Sequence, residues 1–427
     1  MTMSSQRLSK PPKANVFRMR SEGVSMYPLL HPGDLIEFQK ISPLHVKMND
    51  IVLLYLNEKF ITHRVIYFTK NQIVTRGDNN PKEDDGVTLE HIIAKAVRFK
   101  RKGIWYNMGD IYINQSLVYI SEIAQIAHQL QKANIKHVYI KGLIASLKYL
   151  NHFPQRIYSD IDLLIHRSDI FLVQELFKKA KYRRLDDYWL SLFSPPKLDR
   201  RYEVDYVKKI RGIPVVFDVH LEPVFLMIKM KGMDLLYRDS LRAKLGAHFI
   251  QNATSLTVMG TKVPVCSSSD QVLYLLLHIF HNNFTDSIRL HLVDQVVRKT
   301  MKPLYWKQFL KTTLQFKLEG YIYPSLVLLR RYYKTPTPPS IITSLQPKGV
   351  IKQFVSNYVI RNTNIFRSPT RISGGMMRFA LSIFLSPEPL YRKLLILIHP
   401  KTLFSVGWLA VKKLQTVILR RKIERSV

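Results

Sequence analysis

Ser159-Asp160-Ile161-Asp162-Leu163-Leu164-Ile165 is the stretch on which the architecture turns. Its apolar residues read as a short strand over 160–165, opened by two aspartates. Residues i and i+2 of a strand face the same way. Asp160 and Asp162 are therefore expected to converge at one strand end, about 7 Å apart along the backbone. Two carboxylates that close repel each other unless a cation lies between them. An oxygen-only ligand set favours Mg²⁺ or Mn²⁺, with phosphate oxygens completing the shell. Asp218, in Val215-Val216-Phe217-Asp218-Val219-His220, falls on a second predicted strand at 213–221 and supplies a third carboxylate.

Upstream, Tyr139-Ile140-Lys141-Gly142 ends a predicted strand at 135–140 and opens a helix running to about Leu150. Gly142 permits close backbone approach, and Lys141 offers a point charge to a phosphate. An amphipathic helix over 116–132, a helix capped by Ser168 and running to Lys181, and a strand over 201–208 complete the pattern. This mixed order predicts an α/β or α+β core at 115–225. Beyond Pro223 helical periodicity dominates, so 226–427 is expected to be an all-helical, basic region. Within it a capped helix spans 268–284 and a proline-rich loop 335–340. His220 shares the face of Asp218, either to orient it or as a packed core histidine. His278 and His281 stand one turn apart. With no cysteine or third ligand nearby they are expected to be a hydrogen-bonded pair rather than a zinc site.

Residues 16–104 alternate short apolar runs with turn signals, and 51–56 and 59–68 read as strands of a small β-rich domain. Here Gly23-Val24-Ser25-Met26-Tyr27-Pro28 is followed by Thr62-His63-Arg64-Val65-Ile66, Gly77-Asp78-Asn79-Asn80 and Glu83-Asp84-Asp85. Ser25 is a hydroxyl nucleophile, His63 a base, and Asp78, Asp84 or Asp85 a group to orient that base. The alternative is a β-domain that binds peptide without cutting it.

With 427 residues, 46% of them hydrophobic, the chain can bury several cores, which excludes wholesale disorder. Its one cysteine, Cys266, excludes a disulfide scaffold. The net charge of +34 predicts attraction to polyanions or an anionic membrane face. Residues 301–427 carry 22 Lys/Arg against 3 Glu, more than half of that excess. Arg330-Arg331-Tyr332-Tyr333-Lys334 mixes charge with aromatics, as nucleic-acid surfaces and solvated helix faces both do. Met1–Arg20 has no apolar run, and residues 394–411 are interrupted by His399, Pro400 and Lys401, so neither reads as a signal peptide or a span. A cytoplasmic location is expected. Peripheral membrane contact remains open through Lys412, Lys413, Arg420, Arg421 and Lys422 beside Trp408.

Residues 20–100 resemble the signal peptidase family of serine proteases, in a Ser-Met-x-Pro loop, a following Gly33-Asp34 pair and a Gly-Asp-Asn-Asn turn. His63 matches the branch with a histidine base. The resemblance implies Ser25 as nucleophile, His63 as base and Asp84 as the triad aspartate, with Asp78 shaping the turn and Asp85 as a register alternative. Gly23 stands where many members have serine, so backbone N–H groups would form the oxyanion hole. That family is normally membrane-anchored and works outside the cytoplasm.

Residues 115–420 resemble the nucleotidyltransferase superfamily, in the branch called nucleotidyltransferase family 5. The resemblance rests on the Lys141-Gly142 strand end, the Asp-Ile-Asp-Leu-Leu strand, the Asp218-Val219-His220 strand, and Leu277-His278, His281-Asn282 and Leu292-Val293-Asp294. Most of the superfamily has a second Gly or Ser and a shorter gap, whereas Leu143 follows Gly142 here and Asp160 lies 18 residues on. The resemblance implies transfer of a nucleoside monophosphate from a nucleoside triphosphate to an acceptor (a sugar, a protein hydroxyl, an antibiotic or RNA). Asp160 and Asp162 would hold Mg²⁺ or Mn²⁺, Asp218 would activate the acceptor, and Lys141 and Gly142 would meet the nucleotide. The chain then reads as a fusion of two enzyme domains. Two other readings are a serine peptidase with a non-catalytic nucleotide-binding domain, and a non-enzymatic basic binding protein.

Overall fold

Two β-sheets and a set of helices organise the residues described by the computed structural model, namely 2–3, 13–69, 72–150, 158–185, 202–223, 226, 235–367 and 371–400. Trp408 and the basic clusters at 412–413 and 420–422 lie outside the described residues.

The first sheet is built from β1 (Thr2–Met3), β2 (Val16–Arg20), β3 (Leu35–Gln39), β4 (Ile51–Leu56), β5 (Lys59–Thr69), β6 (Gln72–Arg76), β7 (Ile92–Arg101) and β8 (Ile104–Asn107). Its strand order is β1-β2-β3-β7-β4-β5-β6, with β8 paired to β7. The β4–β5 hairpin turns through Asn57 and Glu58, both at positive φ, a tight two-residue turn whose twist suits the strands it joins. The apolar side chains of one face, Phe17, Phe38, Leu53 and Phe99, form a core with Met26 and Leu29 from the loop that carries Ser25.

After α1 (Asp110–Lys132) the second sheet begins. It contains β9 (His137–Ile140), β10 (Ile161–Ile165), β11 (Arg183–Arg184), β12 (Glu203–Ile210), β13 (Ile213–His220), β14 (Thr254–Val258) and β15 (Thr261–Val265), in the order β11-β12-β13-β10-β9-β15-β14. β10 runs parallel to β13 and antiparallel to β9. The register sets Asp162 beside Asp218 on one side and Ile140 on the other, which brings Lys141 to the same sheet end. Tyr119, Ile123, Ile126 and Leu130 of α1 bury against Leu163, Phe217 and Val263.

The short α2 (Gly142–Ala145) and α3 (Ile170–Lys179) belong to the sheet's connections. The other helices are α4 (Asp239–Gln251), α5 (Ser268–His281), α6 (Ser287–Thr300), α7 (Pro303–Gln315), α8 (Glu319–Tyr333), α9 (Pro339–Leu345), α10 (Val350–Asn362), α11 (Arg371–Phe384) and α12 (Leu390–Ile398). α5 is apolar nearly all round, from Val272 to Phe280, because it lies between the second sheet and the other helices. The same core takes in Ile66, Tyr67 and Val74, so the first sheet is seated on the helices. Tyr67 Oη donates to the Tyr332 carbonyl at 2.7 Å, and Arg76 to that of Phe366 at 2.9 Å.

Two sequence expectations need correction. The region 226–427 is helical but not all-helical, because β14 and β15 form a hairpin that extends the second sheet through the parallel pair Val265–Tyr139. Thr261, Val263 and Val265 are β-branched at period two, and Thr254, Thr257 and Val258 add β-branched residues to the partner strand, around Met259 and Gly260 at positive φ. Ser168 does not cap a helix. It lies in a short 3₁₀ turn, with Asp169 at the cap position and the helix ending at Lys179.

Gly320, in the first turn of α8, meets the backbone of Leu385 so closely that a Cβ would overlap its carbonyl oxygen. Gly320→Ala should cost about 1–3 kcal/mol. The expected readout is a lower urea midpoint with an unchanged m-value.

Candidate functional site

The end of β10 carries unlike charges packed at hydrogen-bond distance. Lys141 Nζ donates to Asp162 Oδ1 at 2.5 Å and lies 3.2 Å from His220 Nε2. His220 Nε2 is 3.0 Å from Asp162 Oδ1 and 3.2 Å from Asp218 Oδ2. One ligand atom each from Asp162, Asp218 and His220 lie within 4.8 Å of one another, a set able to hold a metal ion. Asp218 Oδ1 is buried and has no hydrogen-bond partner among the described residues, so it keeps an acceptor free for a cation.

The electrostatics follow from burial and proximity. Burial opposes charge on His220, yet Asp218 and Asp162 outweigh it and lift the ring to about 9. Burial likewise opposes the Lys141 ammonium, and the attraction of Asp162 reverses the sign, raising it above its ordinary value. Asp218 is held below the usual carboxylate range, burial being outweighed by His220 and then Lys141. The resting cluster thus neutralises itself with an ammonium and an imidazolium. Lys141 adopts φ 64°, a conformation uncommon for a side-chain-bearing residue, where β9 gives way to α2.

Asp160 lies just outside this cluster. It lines a cavity of about 130 Å³ together with Lys141, Gly142, Ser159 and Asp162. The opposite wall brings His278 from α5 and Arg289 from α6. Burial and then the repulsion of Asp162 raise Asp160 to about 6. His278 is held well below its usual value by burial and by Lys141 and Arg289, and so is neutral. Its ring centroid lies 6.3 Å from that of His281, whose Nε2 meets Arg378 Nη1 at 3.1 Å.

Of the carboxylates expected to converge, the structure therefore joins Asp162 and Asp218, with His220 between them and Asp160 beside. No local sequence signal marks Arg289, because it reaches the cavity from a helix far along the chain. Asp205, opposite Asp218 on β12, does have one, its place on an alternating strand beside Val204 and Tyr206.

A second constellation lies on the first sheet. His63 Nε2 is 3.0 Å from Ser25 Oγ, and His63 Nδ1 is 2.7 Å from Asp84 Oδ2. Thr75 Oγ1 donates to that carboxylate at 2.7 Å. Since a carboxylate only accepts, the imidazole N–H sits on Nδ1, leaving Nε2 to accept from the Ser25 hydroxyl. A Cβ on Gly77 would come within 2.9 Å of His63 Nε2 and 2.7 Å of the Ser25 carbonyl, so only glycine allows this approach. Asp78 turns away, held bidentate by Arg64 at 2.6 Å. Asp85 is exposed. Beside Asp84, Glu83 accepts from Asn364 at 3.0 Å and Arg367 at 2.7 Å, which ties this loop to the helical region.

The raised Asp160 makes a pH prediction for metal-free protein. The native state keeps a proton that the unfolded chain releases between 3.8 and about 6, so this group's contribution weakens stability as pH rises through that window. Asp160→Asn should therefore gain on the order of 1–3 kcal/mol at neutral pH and nothing near pH 4, read from urea melts at both values.

Residues 105–334 match a protein family described as an uncharacterised nucleotidyltransferase. Among solved structures, the chain is similar to an antigenic nucleotidyltransferase-like protein from Paracoccidioides brasiliensis. Identity is 16%, coverage is 54% of this chain and 93% of that one, and the TM-score is 0.32. No curated protein matches the chain. With the family match spanning more than half its length, the chain belongs to the uncharacterised nucleotidyltransferase family.

Proposed function

We propose that the second sheet and its helices catalyse metal-dependent transfer of a nucleoside monophosphate from a nucleoside triphosphate to a hydroxyl acceptor. The observation that carries this reading is the joint approach of Asp162, Asp218 and His220, with an unpartnered buried oxygen on Asp218. Asp162 and Asp218 would hold the ion, joined by Asp160 once it ionises. Mg²⁺ or Mn²⁺, when bound, would neutralise phosphate oxygens and the developing charge. Lys141 exchanges its contact with Asp162 for a phosphate oxygen, with Gly142 beside it. Arg289, paired with Asp286, faces the same cavity. The acceptor oxygen forms a bond to the α-phosphorus, the bond to pyrophosphate breaks, and the acceptor's proton passes to Asp218.

Incubation with α-labelled nucleoside triphosphates, Mg²⁺ and cell extract should transfer label to an acceptor. Asp162→Asn should lower transfer by about 10²-fold or more. Mg²⁺ at 100-fold over its Kd should stabilise the wild type by about 2.7 kcal/mol, a gain the folded Asp160→Asn, Asp162→Asn variant lacks. An unchanged response in that variant would remove the site.

The hydrogen-bonded Ser25–His63–Asp84 chain favours a second activity, a serine peptidase of signal peptidase type on residues 16–104. His63 Nε2 takes the Ser25 proton as Oγ attacks a peptide carbonyl, and returns it to the leaving amine. Water then hydrolyses the acyl-enzyme, and Asp84 holds the ring tautomer throughout. Ser25→Ala and His63→Ala should each abolish cleavage of a small-residue peptide and labelling by a fluorophosphonate. The double variant should be no worse than either single one, because the two groups act as a unit. Labelling that survives Ser25→Ala would exclude the serine mechanism.

A further inference from the structure

α12 buries a narrow stripe and exposes most of its apolar side chains. Ile396 packs against Leu236 and Ile383, and Lys393, only 4% exposed, donates from Nζ to the Phe384 carbonyl at 2.9 Å. On the outward side, Tyr391 is 60% exposed, Leu394 53%, Leu395 50% and Ile398 68%. α10 repeats the arrangement, with Val350, Phe354 and Tyr358 exposed at a four-residue spacing, hence on one helical face. Both helices pack on α11, α10 directly and α12 through Ile396 against Ile383. Scattered exposed leucines are ordinary, but two helices on one neighbour that both present apolar side chains outward are not.

The surrounding charge selects the occupant. Residues 341–400 contain eight Lys/Arg and one Glu; Lys393 is buried and Arg367 and Arg392 pair with Glu83 and Glu388, while Lys348 and Arg361 stand exposed. A second copy of the same basic surface would repel the first. Nucleic acid supplies phosphates but no medium for leucine and phenylalanine tips. An anionic bilayer supplies both, headgroups for the cations and an acyl boundary for the apolar side chains. No helix among the described residues is long and apolar enough to cross a membrane, so the contact is one of lying on the surface. We propose that the exposed faces of α10 and α12 form a docking surface for anionic lipid. The proposal is independent of the chemistry assigned to either site.

The test is flotation of the full chain with vesicles of phosphatidylcholine alone or with phosphatidylserine added. Binding is expected to the anionic vesicles only, and to be lost in about 0.5 M salt. Leu394→Gln, Leu395→Gln, Ile398→Gln removes apolar tips without changing charge, at exposed positions where folding tolerates substitution. It should weaken binding about tenfold or more while leaving the melting temperature unchanged. A second variant, Phe354→Gln with Tyr358→Gln, should weaken it in the same direction. Equal binding to both vesicle types, or undiminished binding by both variants, overturns the proposal. So does wild-type self-association that the variants abolish without vesicle binding, because the face would then serve a second copy. Vesicle binding replaced by capture on an acidic protein would overturn it equally.

Discussion

Asp162 cannot stand ionised at a buried sheet end without a compensating charge, and much of the second half of the chain is arranged around that constraint. Lys141 reaches it from the end of β9, and His220 reaches it from β13 while also touching Asp218. Each partner comes from a different strand, so the cluster exists only because β9, β10 and β13 pair in one register. Removing one charge from such a buried set leaves another without compensation, which costs far more than the net worth of the intact group. The arrangement explains how Asp162 and Asp218 stand side by side at one sheet end.

The packing that holds the register extends well beyond the sheet. α5 is buried between β9 and β10 on one side and α6, α7 and α8 on the other, and it carries His278 to the cavity wall. α6 follows, with Asp286 capping its N-terminus and pairing with Arg289. The helical region thus supplies one wall of the cavity, and the sheet supplies the carboxylates.

The first sheet shares this body. Tyr67 packs against Tyr333 and Phe366, and Glu83 is held by Asn364 and Arg367 next to Asp84. Burial opposes charge on Glu83, but its backbone hydrogen bond and Arg367 keep it below the usual carboxylate range. The loop bearing Asp84 is therefore positioned by residues nearly three hundred positions away in sequence, and the two candidate sites sit on one packed unit.

Local patterns determined a good part of this. The short apolar runs of β4 and β5 announce their strands to within a residue, since a short hairpin is governed by its own turn and the strand-forming residues beside it. The Asp-x-Asp strand and Asp218 announce a carboxylate site, since strand geometry sends i and i+2 to one face. Asp84 was singled out over Asp78 and Asp85 by resemblance alone, and it is the one the structure sets against His63, while Arg64 claims Asp78. The hairpin at 254–265 is masked by the stronger helical pattern on either side, although Thr261, Val263 and Val265 alternate. What only the tertiary structure decided is partnership: that His220 bridges two carboxylates, that Lys141 faces Asp162, that Arg289 shares their cavity, and that α12 points its leucines outward. Those facts depend on strand register and helix rotation, which contacts far apart in sequence select.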